Sequence, residues 1–230
     1  MNFQSNNLRF FRSEYHDPVK MKEDFLYILY ATIAWTSYFI VVKFFLFKKR
    51  FIINGKQASD IEDKDLKNRM VSFIHGLVSC IVSSYHCSFL KTECGALNLP
   101  YQRNALIFSI SYFLWDTFAM YFEGLLDNAM IIHHSLCILG LTMPLYENIS
   151  ANFVMQVICI MEVSNPPMTI RHFFRLTGRR YTKGYEIAEI SFIIIYCFAR
   201  SVLAFPLLYY ALRCHHNHMF LKFIVCGLMI

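Results

Sequence analysis

The sequence predicts an all-α fold, a multi-pass transmembrane helical bundle of six to seven spans. Three observations predict it. Of the 230 residues, 56% are hydrophobic and only 17% charged, against about a quarter charged in a soluble domain. The apolar residues fall into runs near the roughly 20 residues that a bilayer-spanning helix needs. The basic residues cluster between those runs, so the net charge of +6 reads as membrane topology and excludes nucleic acid as a partner.

The spans follow in order. The first runs from Phe25 to Val42 and is closed by Lys43; with no signal-peptide pattern before it, it stays as an anchor. The second, Met70 to Leu90, contains His75 and His86. Asn104 to Phe122 carries one charge, Asp116, and Asn128 to Tyr146 carries only His133 and His134. Asn148 to about Asn165 contains Glu162, and Ile190 to Leu212 contains Arg200. A last run starts at Met219, contains Lys222 and stops at Ile230, as a short span or in a truncated chain. Seven crossings result, or six if that run stays interfacial.

The loops divide by charge. Lys43 to Arg69 and Arg171 to Lys183 hold most of the Lys and Arg, which places them in the cytosol, the N-terminus in the lumen and the C-terminus in the cytosol. Arg9, Arg12, Lys20, Lys22, Lys91, Arg103 and Arg213 fall on the opposite side. The basic loops suit anionic lipid headgroups as partners; protein partners are not indicated. In the first loop, Asn54-Gly55 signals a turn, and Ser59 with Glu62 has capping-box spacing for a short polar helix. Asn148-Ile149-Ser150 is a glycosylation sequon in a turn too short to lift Asn148 clear of the bilayer. Cys94 and Cys214 are the only cysteines in connecting loops, so at most one disulfide is expected.

Ionisable groups inside spans cost several kcal/mol unless they face a bundle interior or a wet cavity. His75, Asp116, His133, His134, Glu162 and Arg200 are such groups, with Arg171 just beyond the fifth span. His133 and His134 lie about 100° apart on a helix and can address one pocket, where imidazoles exchange protons near neutral pH. Asp116 would orient one of them or stabilise its charged form. Pro166 and Pro167 cannot donate helix hydrogen bonds, so carbonyls near Glu162 are freed at a helix break; Pro206 similarly interrupts the sixth span. Asp116, His133, His134 and Glu162 are expected to share one cavity with a mouth open to the cytosol. His215, His216 and His218 lack the spacing of a dimetal site, and no metal is expected. No phosphate-binding glycine loop, serine elbow or HExxH occurs.

Together these residues resemble the TLC domain, shared by ceramide synthases, translocon-associated membrane proteins and several smaller families. The resemblance rests on Arg69-Met70-Val71-Ser72-Phe73-Ile74-His75, Tyr112-Phe113-Leu114-Trp115-Asp116, Ile132-His133-His134, and Glu162-Val163-Ser164-Asn165-Pro166 followed by Ile170-Arg171. It covers about residues 64–230, leaving 1–63 as an N-terminal segment, first span and basic loop. The synthases carry a histidine-aspartate stretch with further acids after the double histidine. Here that region reads Met161-Glu162-Val163-Ser164-Asn165-Pro166-Pro167, without the aspartates. The resemblance implies a helix bundle around a lipid-sized cavity.

Three functions follow as expectations. The first is binding or sensing of lipids or acyl chains, with an influence on membrane lipid composition. The second is acyl transfer to an amine or hydroxyl, with His133, His134 and Asp116 catalytic, no resident cofactor, and acyl-CoA as co-substrate. The third is non-catalytic trafficking through the basic loops. In the first two, His75, Glu162, Asn165, Arg171 and Arg200 would contact the ligand. The endoplasmic reticulum is the expected location, with the Golgi and plasma membrane as alternatives.

Overall fold

A computed structural model describes residues 18–53, 56–89 and 93–229. Helix α1, Pro18–Val41, continues through a π-helical turn, Val42–Leu46. Two short antiparallel strands follow, β1 at Ile52–Ile53 and β2 at Lys56–Gln57, with Ile53 opposite Lys56. The proposed turn residues Asn54 and Gly55 lie outside the described residues, as do Arg9, Arg12 and Lys91. Then come α2 (Asp60–Phe89), α3 (Pro100–Glu123), α4 (Asn128–Glu147), α5 (Ala151–Glu162) and α6 (Asn165–Leu176). Helix α7 (Lys183–Phe198) runs through a second π-helical turn, Ala199–Leu203, into α8 (Ala204–Arg213), and α9 is Met219–Met229.

Six helical stretches are long and apolar enough to cross a membrane. The seventh crossing is not among them. Helix α9 has 11 residues, about 16 Å of rise against a hydrocarbon core of about 30 Å. One face of it packs into the bundle: Leu221, Ile224 and Val225 are buried while Met219 and Phe223 are exposed, and a Cβ on Gly140 of α4 would stand 3.0 Å from the Ile224 side chain. Glycine at 140 is what lets α9 lie so close to α4.

Local signals set the ends. The Ser59–Glu62 box forms: Ser59 N donates to Glu62 Oε2 at 2.9 Å, and Glu62 N to Ser59 Oγ at 3.3 Å. The polar helix expected there is the first part of α2, which continues unbroken into the second span for 30 residues. Asp127 caps α4 by accepting from Met130 N at 2.8 Å, and Gly124 ends α3 at φ 72°. Pro206 does not break the sixth span; the helix absorbs it through the π-helical turn just before it.

Helix α1 leans on α3, where Trp35 and Phe39 pack with Tyr112 and Trp115. Ion pairs hold the two helices near both ends, Arg103 with Asp24 and Lys43 with Glu123. A second core joins Leu106 and Ile110 of α3 to Leu141, Val154, Leu207 and Leu221.

One end of the bundle is tied by a disulfide between Cys94 and Cys214, with Cα atoms 5.6 Å apart. Asn98 Nδ2 donates there to the Pro144 carbonyl at 2.7 Å, while Asn98 Oδ1 accepts from Ala151 N at 2.9 Å. The sequon is folded into the same end: Asn148 has φ 53°, and buried Ser150 donates to Asn217 Oδ1 at 2.7 Å. We call this the disulfide end, and the opposite one, with Gly124 and Asp127, the vestibule end.

Candidate functional site

Two cavities meet inside the bundle. A polar vestibule of about 210 Å³ lies toward the vestibule end, with Asn68, Asp116, His134 and Asn165 in its wall. An apolar chamber of about 70 Å³ continues toward the disulfide end between Gly140, Val154, Val157, Leu221 and Ile224. His75, Phe113, His133 and Glu162 line both and form the junction. One water needs roughly 10–15 Å³ on this scale. The chamber is therefore small, an apolar space adjoining the wider polar vestibule, and is itself smaller than the lipid-sized cavity expected.

Asp116 comes from the middle of α3 and is buried. Asn68 Nδ2 donates to its Oδ1 at 2.8 Å, and Tyr112 OH, one turn earlier on α3, donates to its Oδ2 at 3.1 Å. His134 Nε2 faces the same Oδ2 at 3.4 Å. The Thr117 hydroxyl lies 2.7 Å from the Phe113 carbonyl and 2.9 Å from His134 Nδ1; when its single proton goes to the carbonyl, Oγ1 accepts from His134 Nδ1. With a proton on Nδ1, a neutral His134 turns a lone pair toward Asp116. One further proton then serves both groups, held on the carboxyl or on the imidazole.

His133 is held differently. Its Nε2 lies 3.7 Å from Cys137 Sγ, and its ring meets the Phe113 ring edge-on at 6.1 Å. It lines both cavities, so it is the imidazole nearer the apolar side. His75 is fixed more firmly: its ring stacks on Tyr112 at 3.8 Å and 7°. Its Nε2 meets Ser79 Oγ at 3.2 Å and Ser109 Oγ at 3.3 Å.

Glu162 ends α5 at the break before Pro166 and Pro167, so the helix break and the acid coincide. Its Oε2 accepts from Asn165 Nδ2 at 2.7 Å. Asn68 Oδ1 is buried without a hydrogen-bond partner among the described residues and lies in the vestibule wall.

The other sequence-derived candidates sit elsewhere. Arg171 Nη1 pairs with Glu189 Oε1 at 3.4 Å and its guanidinium covers the Phe192 ring, so it joins α6 to α7 outside both cavities. Arg200 sits in the π-helical turn over the Tyr196 ring at 5.4 Å; it lines neither cavity. Sequence reasoning missed Asn68, Tyr112, Thr117 and the serine pair Ser79 and Ser109. The available signals were the helical spacing of Tyr112 with Asp116 and of His75 with Ser79. Asn68 gave no signal, because it falls in the polar stretch before the apolar run of the second span. Among the described residues, no group of three or more metal-binding side chains occurs.

The family model for the TLC domain matches residues 65–230, a stretch that includes the vestibule, the chamber and α9. The chain belongs to the TLC domain family. In this TLC domain His134 of α4 meets Asp116 of α3 across one buried contact in the vestibule wall, while His133 and the α5 acid Glu162 stand at the junction with the chamber. No solved structure shows significant similarity to the chain.

Proposed function

We propose that this TLC-domain protein binds a lipid or free acyl chain inside its bundle and thereby influences membrane lipid composition. The observation that carries this reading is the junction of a polar vestibule with an apolar chamber at His75, Phe113, His133 and Glu162. An amphiphile fits that polarity gradient, with the chain in the chamber and the polar group in the vestibule. Asn68 Oδ1, Asp116 and Glu162 offer mainly acceptors there. The reading therefore favours a polar group that donates hydrogen bonds, a hydroxyl or an amine. Glu162-Val163-Ser164-Asn165-Pro166 resembles the motif of the non-synthase members, and within them we propose a likeness to TLC domain-containing protein 5 (transmembrane protein 136). Comparison of the cellular lipidome after deletion, with rescue by wild type or Val157→Trp, tests the reading. Lipid classes and chain profiles that do not change on deletion would reject it.

A second reading is favoured by the Asp116–His134 contact: transfer of an acyl group from acyl-CoA to an amine or hydroxyl. An imidazole of the pair at 133 and 134 would take the proton of the attacking group as the new C–N or C–O bond forms. That proton would leave on the departing CoA thiolate as the thioester bond breaks. Purified protein in nanodiscs with acyl-CoA and a long-chain base or lysolipid tests it. Equal turnover by wild type and His134→Ala rejects it.

We place the vestibule on the cytosolic side and the disulfide end in the lumen. The basic stretches 43–69 and 171–183 lie at the vestibule end, and a disulfide persists in an oxidising compartment. With six spans from a lumenal N-terminus, the loop that leads into α9 lies in the lumen with the disulfide. The endoplasmic reticulum remains the proposed location, and anionic headgroups the proposed partners of the basic loops.

A further inference from the structure

A third cavity lies on the outside of the bundle. It is a groove of about 350 Å³ between α2 and α3 with α5 as its floor, formed by Val78 and Val82, Ala105 and Phe108, and Met155. Ser109 and Ile158 line both this groove and the chamber, so one layer of side chains separates them. The polar part of that layer is a clasp: His75 Nε2 lies between Ser79 Oγ of α2 and Ser109 Oγ of α3, and both serines face the groove.

We infer that the groove is a second alkyl-chain site, filled sideways by a chain of a bilayer lipid, and that the His75 clasp is the closed portal between it and the chamber. Depth selects the occupant. The groove opens on two spanning helices, where hydrocarbon surrounds the protein and water does not. Asn104, exposed one turn inside α3, supplies an amide at the outer end of the groove, at the level of lipid ester carbonyls. From there the apolar wall runs inward to Ser109 and the clasp. Groove and chamber both run from the clasp toward the disulfide end, on either side of α5. Only the portal step rests on the chamber holding an acyl chain; filling of the groove does not.

The test uses the full chain in phosphatidylcholine nanodiscs doped with phosphatidylcholine that carries a mid-chain diazirine, followed by peptide mapping. Labelling of Val78–Val82 and Ala105–Phe108 should exceed that of the open lipid-facing stretch Ile187–Ile194 by about fivefold or more, as a site favoured by about 1 kcal/mol requires. Ala105→Trp, or Val82→Trp from the opposite wall, should bring groove labelling down to the level of that stretch, whereas Ile190→Trp should not. His75→Ala should open the clasp and bring label to Leu141 and Val157. Labelling of the groove no stronger than that of Ile187–Ile194, or unchanged by both tryptophans, overturns the site. Groove labelling that persists with no label reaching the chamber in His75→Ala overturns the portal. A chamber that stays empty of a diazirine fatty acid while the groove is labelled would instead count against the proposed function.

Discussion

Glu162 Oε2 lies 3.0 Å from the place where a Cβ on Gly76 would stand. That approach brings the acid at the end of α5 against the back of α2, beside His75. The neighbour is the far end of a flexible side chain, so Gly76→Ala need not unfold the protein. Glycine inside a helix costs about 0.5–1 kcal/mol relative to alanine. We therefore expect Gly76→Ala to leave thermal stability in detergent unchanged or slightly raised while it turns the carboxylate aside and weakens ligand retention. Gly76→Val should lose retention more completely. A scan that showed large destabilisation with retention intact would contradict this.

Asp116 accepts two hydrogen bonds from Asn68 and Tyr112 and faces His134. Asp116→Ala strands these buried donors, at about 1–3 kcal/mol for each one left unsatisfied. A clear fall in the unfolding midpoint is expected. Asp116→Asn should be milder, because the amide matches the carboxyl in shape and can donate to His134 Nε2. Thermal unfolding of the two variants in one detergent gives the order, and equal loss in both would reject the donor count.

The Thr117 bond to the Phe113 carbonyl favours the proton on His134 Nδ1. Nitrogen-15 spectra of histidine-labelled protein should show His134 with Nδ1 protonated. In Thr117→Val the Nδ1–H loses its acceptor, and the tautomer should become mixed. A wild-type spectrum with Nε2 alone protonated would be incompatible with the Thr117 assignment.

The disulfide closes a loop between residues 120 positions apart and tethers the segment that leads into α9. Double replacement Cys94→Ser with Cys214→Ser should cost about 2–4 kcal/mol. Because α9 forms part of the chamber wall, retention of a hydrophobic ligand should fall with it. Unfolding scans with and without reductant check the first part, and an unchanged midpoint would refute it.

The bundle was readable because charge-free runs and basic loops follow directly from the cost of polar groups in hydrocarbon. Single charges inside those runs marked Asp116, His133, His134 and Glu162, and the prolines after Glu162 marked the helix break. Uncharged polar residues were harder to weigh. Ser79, Ser109 and Thr117 are cheap in a membrane helix because they can bond to their own backbone, so their presence signals little until a partner is seen. Asn68 was hidden by its place in the polar first turns of α2, which begins at Asp60, about ten residues before its apolar run. Arg171 and Arg200 show the converse. Charge alone suggested a pocket role, yet one joins α6 to α7 and the other lies over Tyr196. The fate of α9 depended on Gly140, whose small size carries no directional signal in a sequence.

We propose that the chamber and vestibule together hold one amphiphile. Native mass spectrometry of the purified protein, released from detergent, measures this directly. The wild type should carry a lipid or fatty acid that Val157→Trp and Gly140→Leu exclude and that Ile190→Trp retains. A wild type without bound amphiphile, or the same adduct in all four proteins, would contradict the account.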